Sequence, residues 1–145
     1  MNIRYVSRWT LNLLIRLKEL GDTLIVGIST DEFNAVKGKK SLIPYDQRVK
    51  IVQNIKCVDL VIPEMDWNQK ISDIKNHNVD LFGMGDDWKG KFDSLKDYCE
   101  VHYLERTENV STSKLKISLS KFSSIPRKDI LNAFDILDQL KKDFE

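Results

Sequence analysis

The segment from Arg106 to Ser113, which reads Arg-Thr-Glu-Asn-Val-Ser-Thr-Ser, carries the residue types best suited to binding a phosphate. It follows a predicted strand, Val101 to Leu104, and precedes a helix that we expect to begin near Lys114. The first amides of a helix are unpaired and partly positive, so anions bind there, and the guanidinium of Arg106 suits phosphate oxygens. The same residues would also form an ordinary helix cap. The sequence therefore predicts either a phosphate-binding loop or a plain cap at this point.

Most of the chain alternates between apolar patterns typical of helices and of strands. The predicted helices are Leu11 to Leu20, Pro44 to Lys56 and Asn68 to Asn76, and the predicted strands are Thr23 to Ser29, Val58 to Ile62 with a stop at Pro63, Leu81 to Met84 and Val101 to Leu104. Such alternation indicates an α/β fold in which an open parallel sheet has helices on both faces. Ligands of these sheets bind beyond the carboxyl ends of the strands, where Ser29 to Asp31, Gly83 to Asp87 and Arg106 to Ser113 would meet.

Composition excludes several classes of partner. The 145 residues are 41% hydrophobic, which is enough for one core, and the net charge of +1 provides no global field for nucleic acid or a membrane surface. No apolar run approaches the roughly 20 residues of a spanning helix, and residues 1–10 are too polar for a signal peptide. Cys57 and Cys99 lack a CxxC or metal-ligand pattern, which favours reduced thiols. We expect a cytoplasmic protein with no membrane insertion and no nucleic-acid partner.

The end of the chain has a different pattern from the rest. After Ser123 to Pro126, apolar residues recur at helical spacing with lysine and aspartate between them. We therefore divide the chain into a domain of residues 1–122 and an extra C-terminal amphipathic helix in residues 123–145. The apolar stripe of this helix would either pack on the domain or form a dimer contact, and the sequence leaves both open.

Five motifs, taken in order, resemble glycerol-3-phosphate cytidylyltransferases. They are Ser29 to Asn34, Tyr45 to Arg48, Val61 to Glu64, Met84 to Trp88 and Arg106 to Ser113, within a resemblance that runs from about Leu11 to Lys116. It implies a Rossmann-like nucleotidyltransferase fold, commonly a homodimer, with Mg²⁺ as cofactor. The implied reaction transfers a cytidylyl group from CTP to glycerol 3-phosphate and releases pyrophosphate. Its product, CDP-glycerol, would serve the synthesis of teichoic-acid-like surface polymers.

The resemblance also implies roles for individual lysines. Lys37 and Lys70 correspond to contacts with glycerol phosphate, and Lys39 and Lys56 to contacts with the nucleotide. Without the resemblance, residues 37–40 would be read as a solvated loop. The family usually has arginine at the position of Lys56, and lysine lacks the bidentate fork of arginine. We expect the contact at Lys56 to be weaker and less directional.

The resemblance assigns binding of the nucleotide triphosphate to residues 106–113, the segment described first. Its members are Arg106, Thr107, Glu108, Asn109, Val110, Ser111, Thr112 and Ser113, and Arg106 is also the implied catalytic residue because it would hold the departing pyrophosphate. Asp31, Asp86 and Asp87 are possible site residues. An acidic pair near a nucleotide would position ribose or assist Mg²⁺, but the same aspartates are equally suited to turns or caps.

The N-terminal HxGH motif of the family is absent. The two histidines of the chain, His77 and His102, lie elsewhere, and Ser7 and Thr10 occupy the HxGH histidine positions. Two explanations of the missing motif stay open. The start of an otherwise intact gene is truncated or frame-shifted, or the chain is a natural variant that has abandoned catalysis. Ile3 to Ser7 only partly replaces the first strand, which we expect to be incomplete. Because hydroxyls cannot supply imidazolium charge, a catalytically inactive nucleotide-binding homologue or partner subunit remains the alternative to an enzyme.

Overall fold

The computed structural model describes residues 3–6, 11–105 and 112–144. The chain forms two compact units, one within Met1–Thr107 and the other within Glu108–Glu145. The first unit contains the sheet and is the one that positions the candidate site. The domain boundary at residue 122 stays a prediction.

The first unit is an α/β fold built on a five-stranded parallel sheet. Its elements are β1 (Ile3–Val6), α1 (Leu11–Glu19), β2 (Thr23–Ser29), α2 (Asp31–Val36), α3 (Tyr45–Gln53), β3 (Leu60–Glu64), α4 (Gln69–Asn76), β4 (Leu81–Gly85) and β5 (Glu100–Leu104), with short 3-10 turns at Asp86–Trp88 and Asp93–Asp97. The strand order is β3-β2-β1-β4-β5. Because the order reverses at β1 and crossovers are right-handed, the helices cover both faces, as predicted.

The central strand, β1, is present but short. It has four residues, against seven in β2, and pairs with β2 on one side and with β4 on the other. Tyr5 lies opposite Ile25 and Phe82, and its side chain is fully buried. Ile3–Val6 therefore forms the first strand, which we expected from the sequence to be incomplete.

The prediction that Pro63 ends a strand is wrong. β3 continues through Pro63 to Glu64, and Pro63 lies opposite Ile28 of β2. Proline is tolerated here because β3 is the edge strand, where a missing N–H need not interrupt a ladder. The extension places Glu64 directly opposite Ser29, at the carboxyl ends of both strands.

Helix α1 packs closely on the sheet through Leu14 and Leu17, which are fully buried. Gly83 of β4 permits this approach, since a Cβ atom there would lie 2.4 Å from Cδ2 of Leu17. Any residue larger than glycine at position 83 would therefore occupy the space that Leu17 fills.

Arg48 of α3 ties the end of β2 to the start of α2. Its Nη1 donates to the Ser29 carbonyl oxygen at 2.7 Å, and its Nη2 lies 2.5 Å from Asp31 Oδ1. Asp31 Oδ2 accepts a hydrogen bond from the Tyr45 amide, at the first residue of α3. The Tyr45 amide, together with Arg48, lowers the pKa of Asp31. Asp31, a possible site residue by sequence, therefore has a structural role in bracing α2 against α3.

The second unit contains α5 (Thr112–Ser123) and α6 (Arg127–Phe144). The amphipathic helix predicted near the C-terminus is confirmed as α6. Six of its large apolar side chains are exposed: Leu131, Phe134, Ile136, Leu137, Leu140 and Phe144. Among the described helices of both units, none combines the length and apolar character needed to cross a bilayer.

We expect Leu17→Ala to lower the free energy of unfolding by about 2–5 kcal/mol, because it removes a fully buried side chain and leaves a cavity beneath α1. Leu11→Ala is the matched control, since Leu11 begins the same helix and is 53% exposed. Its cost should stay below about 0.5 kcal/mol. Urea denaturation of both variants measures the difference, and equal losses would contradict the packing described for α1.

Asp31→Asn should destabilise the chain at neutral pH and progressively less in acid. The folded chain holds the pKa of Asp31 below its unfolded value, so the charge stabilises above that value and the contribution is lost as pH falls through the folded pKa. Chemical denaturation at about pH 7 and about pH 3 measures the deficit relative to wild type. Asp135→Asn, on exposed α6, is the control. A deficit of the same size at both pH values would exclude a charge effect.

Candidate active site

The carboxyl ends of β2, β3 and β4 carry the polar residues of the candidate site. β2 ends at Ser29, β3 ends at Glu64 and β4 ends at Gly85, with the turn Asp86–Trp88 following directly. This is the edge at which open α/β sheets bind their ligands.

Four side chains at this edge form one hydrogen-bonded group, which we call the Glu64 cluster: Ser29, Lys37, Glu64 and Lys70. The carboxylate of Glu64 is 2% exposed; its Oε1 pairs with Lys70 Nζ, and its Oε2 accepts a 2.5 Å hydrogen bond from Ser29 Oγ. Lys37 Nζ lies 3.4 Å from the same Oε2 and donates to Ser29 Oγ at 2.7 Å. Two ammonium groups therefore share one buried carboxylate.

Aromatic rings enclose the two lysines of the Glu64 cluster. Lys37 Nζ lies 3.8 Å from the ring centroid of Phe33 and 5.0 Å from that of Trp67. Lys70 Nζ lies 5.6 Å from Trp67 and 5.5 Å from Phe92. Ring faces attract cations at these distances, and the rings also exclude water. Burial lowers the pKa of Lys37, and the charge of Glu64 opposes that shift.

The polar network extends into the core through α4 and β1. Asp73, one turn after Lys70 on α4, accepts a 3.3 Å hydrogen bond from the hydroxyl of Tyr5. Burial raises the pKa of Tyr5 and also that of Asp73. Tyr5 therefore remains a protonated donor, and α4 is fixed to the central strand close to the residue that carries Lys70.

The turn after β4 reaches the aromatic side of the cluster. The ring of Trp88 lies 6.4 Å from that of Trp67 and 5.7 Å from that of Phe92. Asp86 and Asp87 belong to this turn and are exposed.

Nowhere in residues 3–6, 11–105 and 112–144 do three His, Cys, Asp or Glu side chains group as ligands for a metal ion. Mg²⁺ is commonly held by one or two carboxylates together with substrate phosphates, so it does not require such a group.

The structure brings together some of the sequence-predicted residues. Lys37 and Lys70, predicted as contacts to one phosphate, meet at Glu64. Lys39 is exposed near them, and its charge contributes to the lowered pKa of Lys37. Lys56, in contrast, lies between α3 and β3, where the chain enters the opposite end of the sheet. The structure therefore does not bring Lys56 to the Glu64 cluster, because Lys56 precedes the first residue of β3 and Glu64 is its last.

The predicted phosphate segment lies largely outside the described residues. This applies to Arg106, Thr107, Glu108, Asn109, Val110 and Ser111. Thr112 and Ser113 begin α5, so the helix starts slightly before the predicted Lys114. Their backbone is helical, and the capping and phosphate-binding interpretations of this segment both stay predictions.

Sequence reasoning missed the residue that organises the cluster. Glu64 was noted only as part of a motif, although a carboxylate at the end of an apolar strand, beside lysines predicted to bind phosphate, was an available signal. Ser29 and Trp67 were also not predicted as contacts of those lysines. Their roles depend on pairing between β2 and β3, which no local pattern reveals.

Comparisons with known proteins identify the family to which the sequence is similar. A family model described as cytidylyltransferase-like matches residues 11–118. Glycerol-3-phosphate cytidylyltransferase of Bacillus subtilis (strain 168) is 58% identical over 106 residues, which cover 73% of this chain and 82% of the relative. The enzyme of the same name from Staphylococcus aureus (strain NCTC 8325 / PS 47) is 55% identical over 109 residues, covering 75% and 83% respectively.

A solved structure supports the fold independently. The lipopolysaccharide core biosynthesis protein from Thermoplasma volcanium GSS1 superposes with a TM-score of 0.64 at 19% identity, covering 74% of this chain and 99% of that one. This likeness concerns the fold alone, whereas the family model and the curated relatives concern the sequence. Since they match most of the chain at high identity, this chain belongs to the cytidylyltransferase-like family.

Proposed function

We propose that this chain transfers a cytidylyl group from CTP to glycerol 3-phosphate, forming CDP-glycerol and pyrophosphate. The observation that carries the proposal is the meeting of Lys37 and Lys70 at Glu64, at the ligand-binding edge of the sheet. The two ammonium charges exceed the single carboxylate charge by one, which favours a phosphate monoester beside them. The relatives named glycerol-3-phosphate cytidylyltransferases support the choice of substrates.

In the proposed reaction, a phosphate oxygen of glycerol 3-phosphate attacks the α-phosphorus of CTP, because CDP-glycerol contains a diphosphate link. A new bond forms between that oxygen and the α-phosphorus, the bond between the α-phosphorus and the oxygen bridging to the β-phosphate breaks, and pyrophosphate leaves with the bridging oxygen. Lys37 and Lys70 would hold the acceptor phosphate and so align its attacking oxygen. Arg106 and the residues after it would hold the triphosphate and the charge that develops on pyrophosphate.

Mg²⁺ belongs to the proposal as an expectation from the family. When bound, it would neutralise phosphate charge. Asp86 and Asp87 are suitable to hold it, since they are exposed carboxylates beyond the end of β4.

A second candidate function is nucleotide binding without turnover. Ser7 and Thr10 stand where the family has the histidines of HxGH, and hydroxyls cannot provide the charge of an imidazolium to the reacting phosphates. Each lost donor of this kind costs about 3 kcal/mol of transition-state stabilisation. Such a chain would bind CTP or CDP-glycerol, either alone or as the partner of an intact homologue.

The cellular setting is also proposed by family resemblance. We infer a cytoplasmic homodimer whose product serves the synthesis of teichoic-acid-like surface polymers. Analytical ultracentrifugation tests the assembly, and a monomer at assay concentration would contradict the proposed dimer.

Pyrophosphate release from CTP and glycerol 3-phosphate distinguishes the two functions. We expect release that depends on the chain, on both substrates and on Mg²⁺. Calorimetry with CTP and CDP-glycerol runs in parallel. Binding without release above a no-protein control would favour the second function, whereas neither binding nor release would contradict both.

Arg106→Ala should weaken CTP binding roughly 10- to 100-fold, because it removes charge-assisted hydrogen bonds worth about 1.5–3 kcal/mol. Arg127→Ala removes an arginine from the start of exposed α6 and is the control. Calorimetric titration with CTP measures both. Unchanged affinity in Arg106→Ala would place the triphosphate elsewhere.

A further inference from the structure

We propose that Glu64 is a positioning residue for the acceptor phosphate: its buried carboxylate holds the ammonium groups of Lys37 and Lys70 side by side and is their shared counterion. The inference rests on the proposed function for the identity of the phosphate, glycerol 3-phosphate. It assigns to Glu64 no contact with the reacting atoms, since its effect passes through the two lysines.

The geometry of the carboxylate supports this role. One oxygen of Glu64 pairs with Lys70, and the other receives both Ser29 Oγ, at 2.5 Å, and Lys37 Nζ, at 3.4 Å. Ser29 Oγ also accepts from Lys37 Nζ at 2.7 Å, so the hydroxyl links Lys37 to the carboxylate a second time. These contacts come from β2, from the end of α2 and from α4, and Glu64 is their shared member.

Because the lysines are largely buried, they need the carboxylate as a counterion. Lys70 is 3% exposed, and a buried cation without a counterion is strongly disfavoured. Lys37 is more accessible, at 13%, and is therefore the lysine of the pair nearer to solvent and to an entering phosphate. The rings of Phe33, Trp67 and Phe92 surround the ammonium groups but cannot neutralise them.

The surroundings of Lys37 affect its pKa in opposite directions. Burial is the largest influence and lowers its pKa; Glu64 raises the pKa by its charge and hydrogen bond, while Lys70 and Lys39 lower it further. Glu64 is thus the acidic group that retains the proton on Lys37. Its removal should lower the pH at which Lys37 becomes neutral.

The test compares Glu64→Gln, which keeps size and hydrogen-bonding oxygen but removes the charge, with Glu100→Gln. Glu100 begins β5, at the opposite end of the sheet, and its side chain is exposed. The KM for glycerol 3-phosphate and the KM for CTP are measured from about pH 6 to about pH 10. In the ligand-free full chain labelled with ¹³C-lysine, the Cε shift of Lys37, assigned with Lys37→Arg, reports its titration.

In Glu64→Gln, we expect the titration midpoint of Lys37 to fall by about 1–3 pH units, the usual effect of losing an adjacent opposite charge. The KM for glycerol 3-phosphate should rise, and rise more steeply as pH increases, whereas the KM for CTP and all values for Glu100→Gln should match wild type. A folded Glu64→Gln with an unchanged Lys37 midpoint, or with equal increases in both KM values, would overturn the role of Glu64.

Two arrangements keep the outcome decisive. If the wild-type chain turns over no glycerol 3-phosphate, the proposed function fails, and the titration of Lys37, which needs no ligand, still decides whether Glu64 maintains its charge. If Glu64→Gln does not fold, Ser29→Ala replaces it, because it removes the hydroxyl shared by Glu64 and Lys37. Ser29→Ala should shift both readouts in the same direction by less, and wild-type values in both would overturn the inference.

Discussion

A carboxyl group can be buried in its charged form only where cations and hydrogen-bond donors replace its lost water, because desolvation of an isolated charge costs several kcal/mol. Glu64 meets this condition at 2% exposure, with Lys70 on one oxygen and Ser29 and Lys37 on the other. These partners belong to different elements, so satisfying one charge fixes β2, the end of α2 and α4 relative to β3. The same constraint concentrates positive charge where the parallel strands end.

Strand register is what allows this compensation. Ser29 lies opposite Glu64, and a slip of one residue would turn Glu64 toward the other face of the sheet. The edge position of β3 permits Pro63 immediately before Glu64, and that proline fixes the local backbone without removing a needed ladder bond. The central strand contributes through Tyr5, whose bond to Asp73 holds α4 against the sheet. Lys70 on α4 is therefore positioned both by Glu64 of β3 and by Tyr5 of β1.

The predictability of these features follows from the range of the interactions involved. β2 was predicted with its observed bounds because its β-branched and apolar residues form a local pattern, and β4 was predicted to within a residue. Helix α2 was missed because it has six residues and depends on the Thr30 cap rather than on apolar periodicity. The pairing of Lys37 with Glu64 spans 27 residues, and it exists only once β2 and β3 are aligned. Resemblance assigned Lys37 and Lys70 to one phosphate, but only the fold reveals the carboxylate between them.

The lysines proposed to bind the acceptor phosphate and the residues predicted to hold the triphosphate follow different strands of the sheet. The Glu64 cluster is carried by β2, β3 and their following helices, whereas the predicted triphosphate segment comes after β5 in the sequence. The HxGH positions, Ser7 and Thr10, come after β1 in the sequence. Replacing the histidines removes stabilisation that is expressed in the transition state, but it removes none of the contacts that hold Lys37 and Lys70 on Glu64. If Lys37 and Lys70 bind the acceptor phosphate as proposed, substrate recognition and turnover can diverge in this chain, because Glu64 compensates the two lysines independently of the residues at positions 7 and 10.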